Sequence, residues 1–281
     1  MKKLKKVLLS LLMVAAFTAC SNGNNTQENE TANETAKTEE TSQQTGGENE
    51  LEDKTYIIGL DDTFAPMGFR DTNGELVGFD VDLAKDVFSR LGKKLEFQPI
   101  DWSMKETELN AGNIDMIWNG YSITPEREKA VALSDPYIES GQVIVVMKDS
   151  GITKKSDLKG KTLTIQASSS ALDALKKEGE VLNNLGQPPV EYADNLECFK
   201  DLEAKRSDAM CIDELFARYY ISNQKNPDDY YILEENLGAE SMAVGIKKDN
   251  TALVDAINKA LKEQKEDGTY DKIYTKWLGK K

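Results

Sequence analysis

Two rounds of one alternation constrain this chain most: short apolar strands run into polar loops, and each loop opens an amphipathic helix. In the first round Tyr56-Ile57-Ile58-Gly59-Leu60 reads as a strand ending in the loop 61–66. Phe79, Leu83, Val87 and Leu91 then share one face of a helix, with Gly92 beyond its end. Lys94-Leu95-Glu96-Phe97 is the next strand, and Asp101-Trp102-Ser103 opens a helix with Ser103 and Glu106 as a capping box and Gly112 as its stop. The pattern restarts with the strand Gly141-Gln142-Val143-Ile144-Val145-Val146. A helical turn at 156–158, the strand Thr162-Leu163-Thr164-Ile165 and a helix boxed by Ser170 and Asp173 follow. Next come a helix over 195–205 and the strand Asp208-Ala209-Met210-Cys211-Ile212, which delivers Asp213 at its end. Met242-Ala243-Val244-Gly245-Ile246 reads as another strand, and two helices close the chain, the first carrying Val254, Ile257 and Leu261. Such alternation predicts an α/β fold with parallel or mixed sheets, whose ligands sit at the carboxyl ends of strands. The 227 residues from Thr55 onward (281 minus 54) suffice for one large domain or two lobes, and the repeated pattern selects two lobes. Gly160-Lys161-Thr162 is not a phosphate loop, because Lys155 stands where the first glycine is required and a strand follows.

Ahead of the first strand, Lys2, Lys3, Lys5 and Lys6 precede an apolar run over 7–17 that only Ser10 interrupts, and then Thr18-Ala19-Cys20. The run is shorter than the ~20 residues that span a bilayer, so 1–19 reads as a cleavable signal peptide. Cys20 directly after it resembles the cysteine of a bacterial lipobox, which is lipidated; the other reading is a secreted protein with a stray thiol. Residues 21–53 hold nine acids, one lysine and almost nothing apolar, so 20–54 is expected to be a lipidated cysteine on a disordered acidic tether.

Without 1–19 the charge is 31 minus 49, or −18, which argues against nucleic acid or anionic lipid as a partner. The chain has no histidine, which excludes His-based triads, imidazole bases and the usual zinc sites. No cofactor, metal site or catalytic group is expected. Cys198, on a predicted helix, and Cys211, on a predicted strand, are either a disulfide or two buried thiols.

One arginine stands out. Thr124 reads as an N-cap, Pro125 as the first helical residue and Arg127 as part of the first turn. The positive end of a helix dipole disfavours a cation by ~0.3–1 kcal/mol, so Arg127 needs an anion. Glu126 and Glu128 are adjacent and do not face it, which points to a partner outside the turn. The strand over 114–118 ends at Asn119-Gly120, and the loop 119–123 brings backbone N–H groups and the Ser122 hydroxyl to the same helix start, a place suited to anions. The competing reading pairs Arg127 with an internal Asp or Glu.

From about Thr55 to Leu278 the chain resembles the polar amino acid binding proteins of bacterial ABC importers. The resemblance rests on Gly78-Phe79-Asp80-Val81-Asp82-Leu83, Ala111-Gly112-Asn113-Ile114-Asp115, Ile123-Thr124-Pro125-Glu126-Arg127, Leu133-Ser134-Asp135-Pro136-Tyr137, Asp157-Leu158-Lys159-Gly160-Lys161, Asp267-Gly268-Thr269-Tyr270 and Lys276-Trp277-Leu278-Gly279. It implies a two-lobed periplasmic-binding-protein fold, type II, with two hinge strands. Lobe 1 would comprise 55–137 and 243–281, lobe 2 would be 142–237, and the hinges would be 138–141 and 238–242. Residue by residue, Arg127 would take a ligand α-carboxylate with N–H groups at Ser122 and Ser170, and Asp213 the α-ammonium with the Gly120 carbonyl. Phe64 and Trp102 would sandwich the aliphatic part of the side chain, Asp61 would face its far end, and Asn119, Gln166 and Ser169 would complete the lining. Relatives often have a small residue at Asn119 and some a lysine at Gln166, which leaves the side-chain preference open. Each role has a plainer competitor: Phe64 and Trp102 as core aromatics, Asp213 as a helix N-cap, Asp61 as a solvated loop acid.

The function implied is capture of a polar amino acid by hinge closure and delivery to ABC permease and ATPase subunits. The protein would sit on the extracellular face of a Gram-positive cell membrane, attached through its lipid alone. With Asp61 acidic and no second arginine expected in the pocket, a neutral or cationic side chain is favoured over an acidic one. Glutamine, cystine, arginine, lysine and histidine all remain open. The same architecture would also suit a cyclohexadienyl-dehydratase-like lyase or an amino acid sensor lipoprotein.

Overall fold

A computed structural model of the chain describes residues 51–280. The expected signal peptide over 1–19, the lipidation of Cys20 and the tether up to residue 50 lie outside the described residues. Among the described residues no helix is long and apolar enough to cross a membrane.

Strand β1 (Thr55–Leu60) leads into a three-stranded meander, β2 (Thr63–Phe64), β3 (Gly68–Arg70) and β4 (Leu76–Val77). Then come α1 (Phe79–Arg90), β5 (Lys94–Pro99), α2 (Lys105–Ala111), β6 (Met116–Ile117), α3 (Pro125–Ala130) and β7 (Ala132–Leu133). The long β8 (Ile138–Met147) opens a second series: β9 (Leu163–Gln166), α4 (Ala171–Glu178), α5 (Glu180–Asn184), β10 (Val190–Tyr192), α6 (Asn195–Glu203), β11 (Ala209–Asp213), α7 (Glu214–Ser222) and β12 (Tyr230–Ile232). The chain returns through β13 (Ala239–Met242) and β14 (Gly245–Ile246) and ends with α8 (Thr251–Glu266) and α9 (Thr269–Leu278).

Two mixed sheets result, each the centre of a lobe. The first runs β5-β1-β6-β14-β7, with β1 parallel to β5 and β6, and β14 antiparallel to β6 and β7. The second runs β10-β9-β11-β8-β12, with β9 parallel to β10 and β11. Helices cover both faces of such sheets, so central strands lose the alternation of a half-exposed strand. Val143, Ile144, Val145 and Val146 on β8 are all buried; of the predicted helix face Leu91, just past the end of α1, is half-buried, and Phe79, Leu83 and Val87 are wholly inaccessible. Each of the buried side chains contributes ~1.5–3 kcal/mol by leaving water. Cys198 and Cys211 are free and buried, one on α6 and one on β11.

The helix caps differ from expectation at two places. Ser103 forms no capping box; Asp101 accepts from both the Ser103 amide (2.8 Å) and its hydroxyl (2.7 Å), and a short 3-10 turn over Trp102–Met104 precedes α2. An ionised carboxylate two residues upstream is the stronger acceptor. Glu106 instead accepts from the Tyr121 hydroxyl at 2.9 Å. Ser170 also leaves α4 without a side-chain cap, because its hydroxyl is engaged elsewhere, at 3.1 Å from Ser122 Oγ and 2.9 Å from Glu240 Oε2. The expected strand over 242–246 is two strands with different partners: β13 pairs with the start of β8, and β14 joins the first sheet. Periodicity reports burial, and 242–246 is buried throughout, whereas β13 before Met242 is not. Where the chain crosses from one sheet to the other it does so twice, side by side, and Gly141 permits this: a Cβ there would stand 2.8 Å from the Gly238 carbonyl oxygen.

Candidate functional site

The carboxyl ends of the parallel strands converge. Asp61 follows β1, Asn119 and Gly120 follow β6, Gln166 ends β9 and Asp213 ends β11, and all five line one cavity. The α/β rule predicts this position for a ligand. Phe64, Trp102, Ser122, Arg127, Ser169 and Ser170 line it too, so the eleven residues expected from sequence stand around a single space.

At one end, Thr124 caps α3 as its sequence requires, its hydroxyl accepting from the Arg127 amide at 3.3 Å. Arg127 is buried, and its guanidinium donates to the carbonyls of Ser122 (2.9 Å) and, across the lobes, Ser168 (3.4 Å), while lying 4.3 Å from the centre of the Tyr121 ring. None of these partners among the described residues is a carboxylate. Among the described residues, the internal ion pair that competed with the ligand role is not made. The N-terminus of α4 approaches from the other lobe through Ser170 and Ala171, adding an uncapped helix start to the same end. Sequence reasoning missed a second cation here. Lys105, 2% exposed, stands behind the wall without lining it and donates to the carbonyls of Trp102 (3.1 Å) and Ser168 (2.9 Å). Burial pushes its ammonium down to about 8, and the nearby Arg127 charge adds to the shift. Only its place between Trp102 and Glu106 could have hinted at this, and surface helices carry many such lysines.

Asp213 is both an N-cap and part of the lining. Its Oδ1 accepts from the amides of Leu215 (2.9 Å) and Phe216 (3.2 Å) at the start of α7, and its Oδ2 from the Ser140 hydroxyl at 2.6 Å. Burial raises its carboxyl to about 7, against the lowering effect of these bonds, and the Glu240 charge adds to the rise.

Asp61 is not a solvated loop acid but is 7% exposed. Its Oδ1 accepts from the amide (2.9 Å) and hydroxyl (2.6 Å) of Thr63, and its Oδ2 from Gln166 Nε2 at 2.7 Å, a bond between lobes. All its partners are neutral, and burial raises its pKa. Gln166 is held in turn by the amide of Asn195, which donates to its Oε1 at 2.9 Å. Asn119 braces this loop by accepting from the Asp61 amide at 3.1 Å. Gly120, at φ +59, leaves room for Phe64, whose Cε1 lies 2.7 Å from where a Cβ would stand. Its amide donates to Asp80 Oδ2 at 2.7 Å.

Phe64 and Trp102 are 8% and 6% exposed, packed like core residues on one side and facing the cavity on the other. Phe64 stacks on Phe216 of the second lobe with centroids 5.1 Å apart, and Trp102 meets Tyr121 edge-on at 6.2 Å. Gln142, Ala171, Asn195 and Ile212 also line the cavity and were not anticipated, since each reads in sequence as an ordinary strand or helix residue.

The profile of the bacterial extracellular solute-binding proteins, family 3, matches residues 56–280. The arginine-binding extracellular protein ArtP of Bacillus subtilis is 29% identical over 278 residues, covering 99% of this chain and 98% of that protein. A crystal structure of an ABC uptake transporter substrate binding protein from Streptococcus pneumoniae, with bound histidine, has a TM-score of 0.79 and 41% identity over 80% of this chain and 93% of its own. An ancestral arginine-binding protein bound to arginine has a TM-score of 0.74 and 42% identity over 80% and 98%. These relatives are named as binding proteins and not as enzymes, so the lyase reading is not favoured. The chain belongs to the bacterial extracellular solute-binding proteins of family 3.

Proposed function

We propose that this protein captures a polar amino acid with a cationic side chain, taking neutral polar ones more weakly, and hands it to the permease and ATPase subunits of an ABC importer. One observation carries the reading: a buried arginine with no carboxylate partner among the described residues and a buried aspartate face one cavity from opposite lobes. Arg127, with the amides at Ser122 and Ser170, receives the α-carboxylate, and Asp213, with the Gly120 carbonyl, receives the α-ammonium. Those two charges cancel the zwitterion and leave Asp61 over. A cationic side chain between Phe64 and Trp102 supplies the charge that Asp61 lacks. Asn119, Gln166, Ser169 and Ser170 shape the remaining wall.

The lobes are 55–137 with 243–281, and 142–237; the segments 138–141 and 238–242 form the hinge between them, paired as a two-stranded ribbon. The arrangement described is the closed one, since Asp61–Gln166, Ser122–Ser170 and Phe64–Phe216 all join the lobes directly. Lipidation of Cys20 would hold the protein at the outer face of a Gram-positive membrane through the acidic tether.

The test is a thermal-shift panel of the twenty amino acids with cystine and ornithine. A ligand at a hundred times its Kd stabilises by ~2.7 kcal/mol, or about 5–10 °C for a body of this size. Arginine, lysine, ornithine and histidine should give the largest shifts and glutamate none. A flat panel at millimolar ligand would overturn the reading.

A further inference from the structure

The ribbon between the lobes has two faces. Ser140 pairs directly opposite Glu240, and Glu139 opposite Ser241. Residues opposed across an antiparallel ribbon share a face, and successive residues alternate. On one face Ser241 Oγ donates to the exposed Glu139 carboxylate, 2.9 and 2.8 Å from its two oxygens, and that pair closes on itself. On the other face Ser140 and Glu240 each bond to residues lining the amino acid site. Ser140 donates to Asp213 Oδ2 at 2.6 Å. Glu240 Oε2 accepts from Ser170 Oγ at 2.9 Å and from Gln142 Nε2 at 3.1 Å.

Neither residue lines the cavity; each acts through residues that do. Ser170 has one hydroxyl proton, and an ionised carboxylate accepts only. With that proton given to Glu240, Ser170 Oγ can only accept from Gln142 Nε2 at 3.2 Å and from the Ser122 hydroxyl at 3.1 Å. A directed relay, Ser122 to Ser170 to Glu240, therefore runs from the first lobe through the second into the ribbon. At the other end Ser140 fixes the oxygen of Asp213 that does not cap α7. A ligand shifts a conformational equilibrium only through contacts that differ between the two states, and the Ser122–Ser170 link joins the lobes.

We propose that Ser140 and Glu240 are positioning residues that tie the two charged ends of the amino acid site to the hinge ribbon, so that seating the ligand and bending the hinge are one event. This rests on the function proposed above. The test uses the full folded protein with L-arginine, L-histidine and L-glutamine as probes, reading Kd by calorimetry and closure as the ligand-induced decrease in radius of gyration by X-ray scattering. Glu240→Ala and Ser140→Ala should each raise Kd about tenfold, the loss of one charged hydrogen bond, and reduce the contraction. Glu240→Gln keeps a side-chain carbonyl for Ser170 and should restore both. Melting curves without ligand establish that each variant is folded. Wild-type binding with unchanged Kd and contraction in both alanine variants would overturn this inference alone, and failure of glutamine to restore them would overturn the relay. A wild type that binds none of the three probes would instead overturn the functional reading beneath it.

Discussion

Replacing Arg127 with alanine separates a ligand-binding arginine from a structural one. Its guanidinium is buried, yet its protein partners are two backbone carbonyls and an aromatic face. With a carboxylate seated on it, Arg127 becomes half of a buried, charge-assisted pair, and removing one half of such a pair costs about 3–5 kcal/mol. At 1.4 kcal/mol per tenfold, Kd should rise by about 140-fold to 3,700-fold. The protein without ligand loses far less. The bonds to the Ser122 and Ser168 carbonyls disappear, but so does the cost of burying a cation beside Lys105, whose own ammonium the Arg127 charge already depresses. A net change of ~1 kcal/mol moves the melting temperature by about 2–4 °C in a body of this size. Calorimetric titration gives the first quantity and thermal unfolding the second. Retained affinity together with a large fall in melting temperature would refute the reasoning, because Arg127 would then stabilise the fold and not the ligand.

Three further outcomes follow from the charges in and behind the cavity. Asp213 is raised to about 7 by burial, and an ammonium favours its ionised form; binding at pH 6.5 should therefore release a proton and tighten as pH rises through 7. Titrations in two buffers of different ionisation heat measure that proton, and observed heats that do not depend on the buffer would mean that Asp213 does not meet the ligand. Asp80 is fully buried, with Oδ2 accepting from the Gly120 amide and the Tyr137 hydroxyl and Oδ1 without a partner among the described residues, and burial raises it from 3.8 to about 7. The folded state thus holds this proton more tightly than the unfolded chain, and the stability it lends is complete below about pH 4 and lost as pH rises through 7. Melting temperatures should fall over that window, and Asp80→Asn should flatten the fall; an unchanged slope would count against a proton on Asp80. Asp61→Asn should weaken a cationic amino acid by about 10- to 100-fold, the worth of one charged hydrogen bond, and a neutral one by less than about threefold. Equal losses for both in parallel titrations would show that Asp61 does not read side-chain charge.

Much of the site was legible because a few residue types admit few explanations. An arginine in the first turn of a Thr-Pro-started helix calls for an anion, and an acid at the end of an apolar strand stands where α/β sheets receive ligands. The plainer readings were partly right as well. Asp213 does cap α7, and Phe64 and Trp102 are as buried as core aromatics, while all three also line the cavity. The residues that escaped notice share one property: their significance lies in a partner distant in sequence. Lys105 meets Ser168 at a separation of 63 residues, Glu240 meets Ser170 at 70 and Ser140 meets Asp213 at 73.

The sequence alone determined the α/β class, the two repeated units, the cap that turns Arg127 inward and the ends of the strands that carry acids, because these follow from periodicity and from bonds within a few residues. Tertiary structure alone decided that Ser170 leaves its cap for Glu240, that one apparent strand over 242–246 serves two partners, and that Asp61 is a buried acid among neutral groups. The physical reason is competition. A hydroxyl, a carboxylate or a strand edge takes the best partner that folding brings within reach, and only the folded chain shows which partners those are.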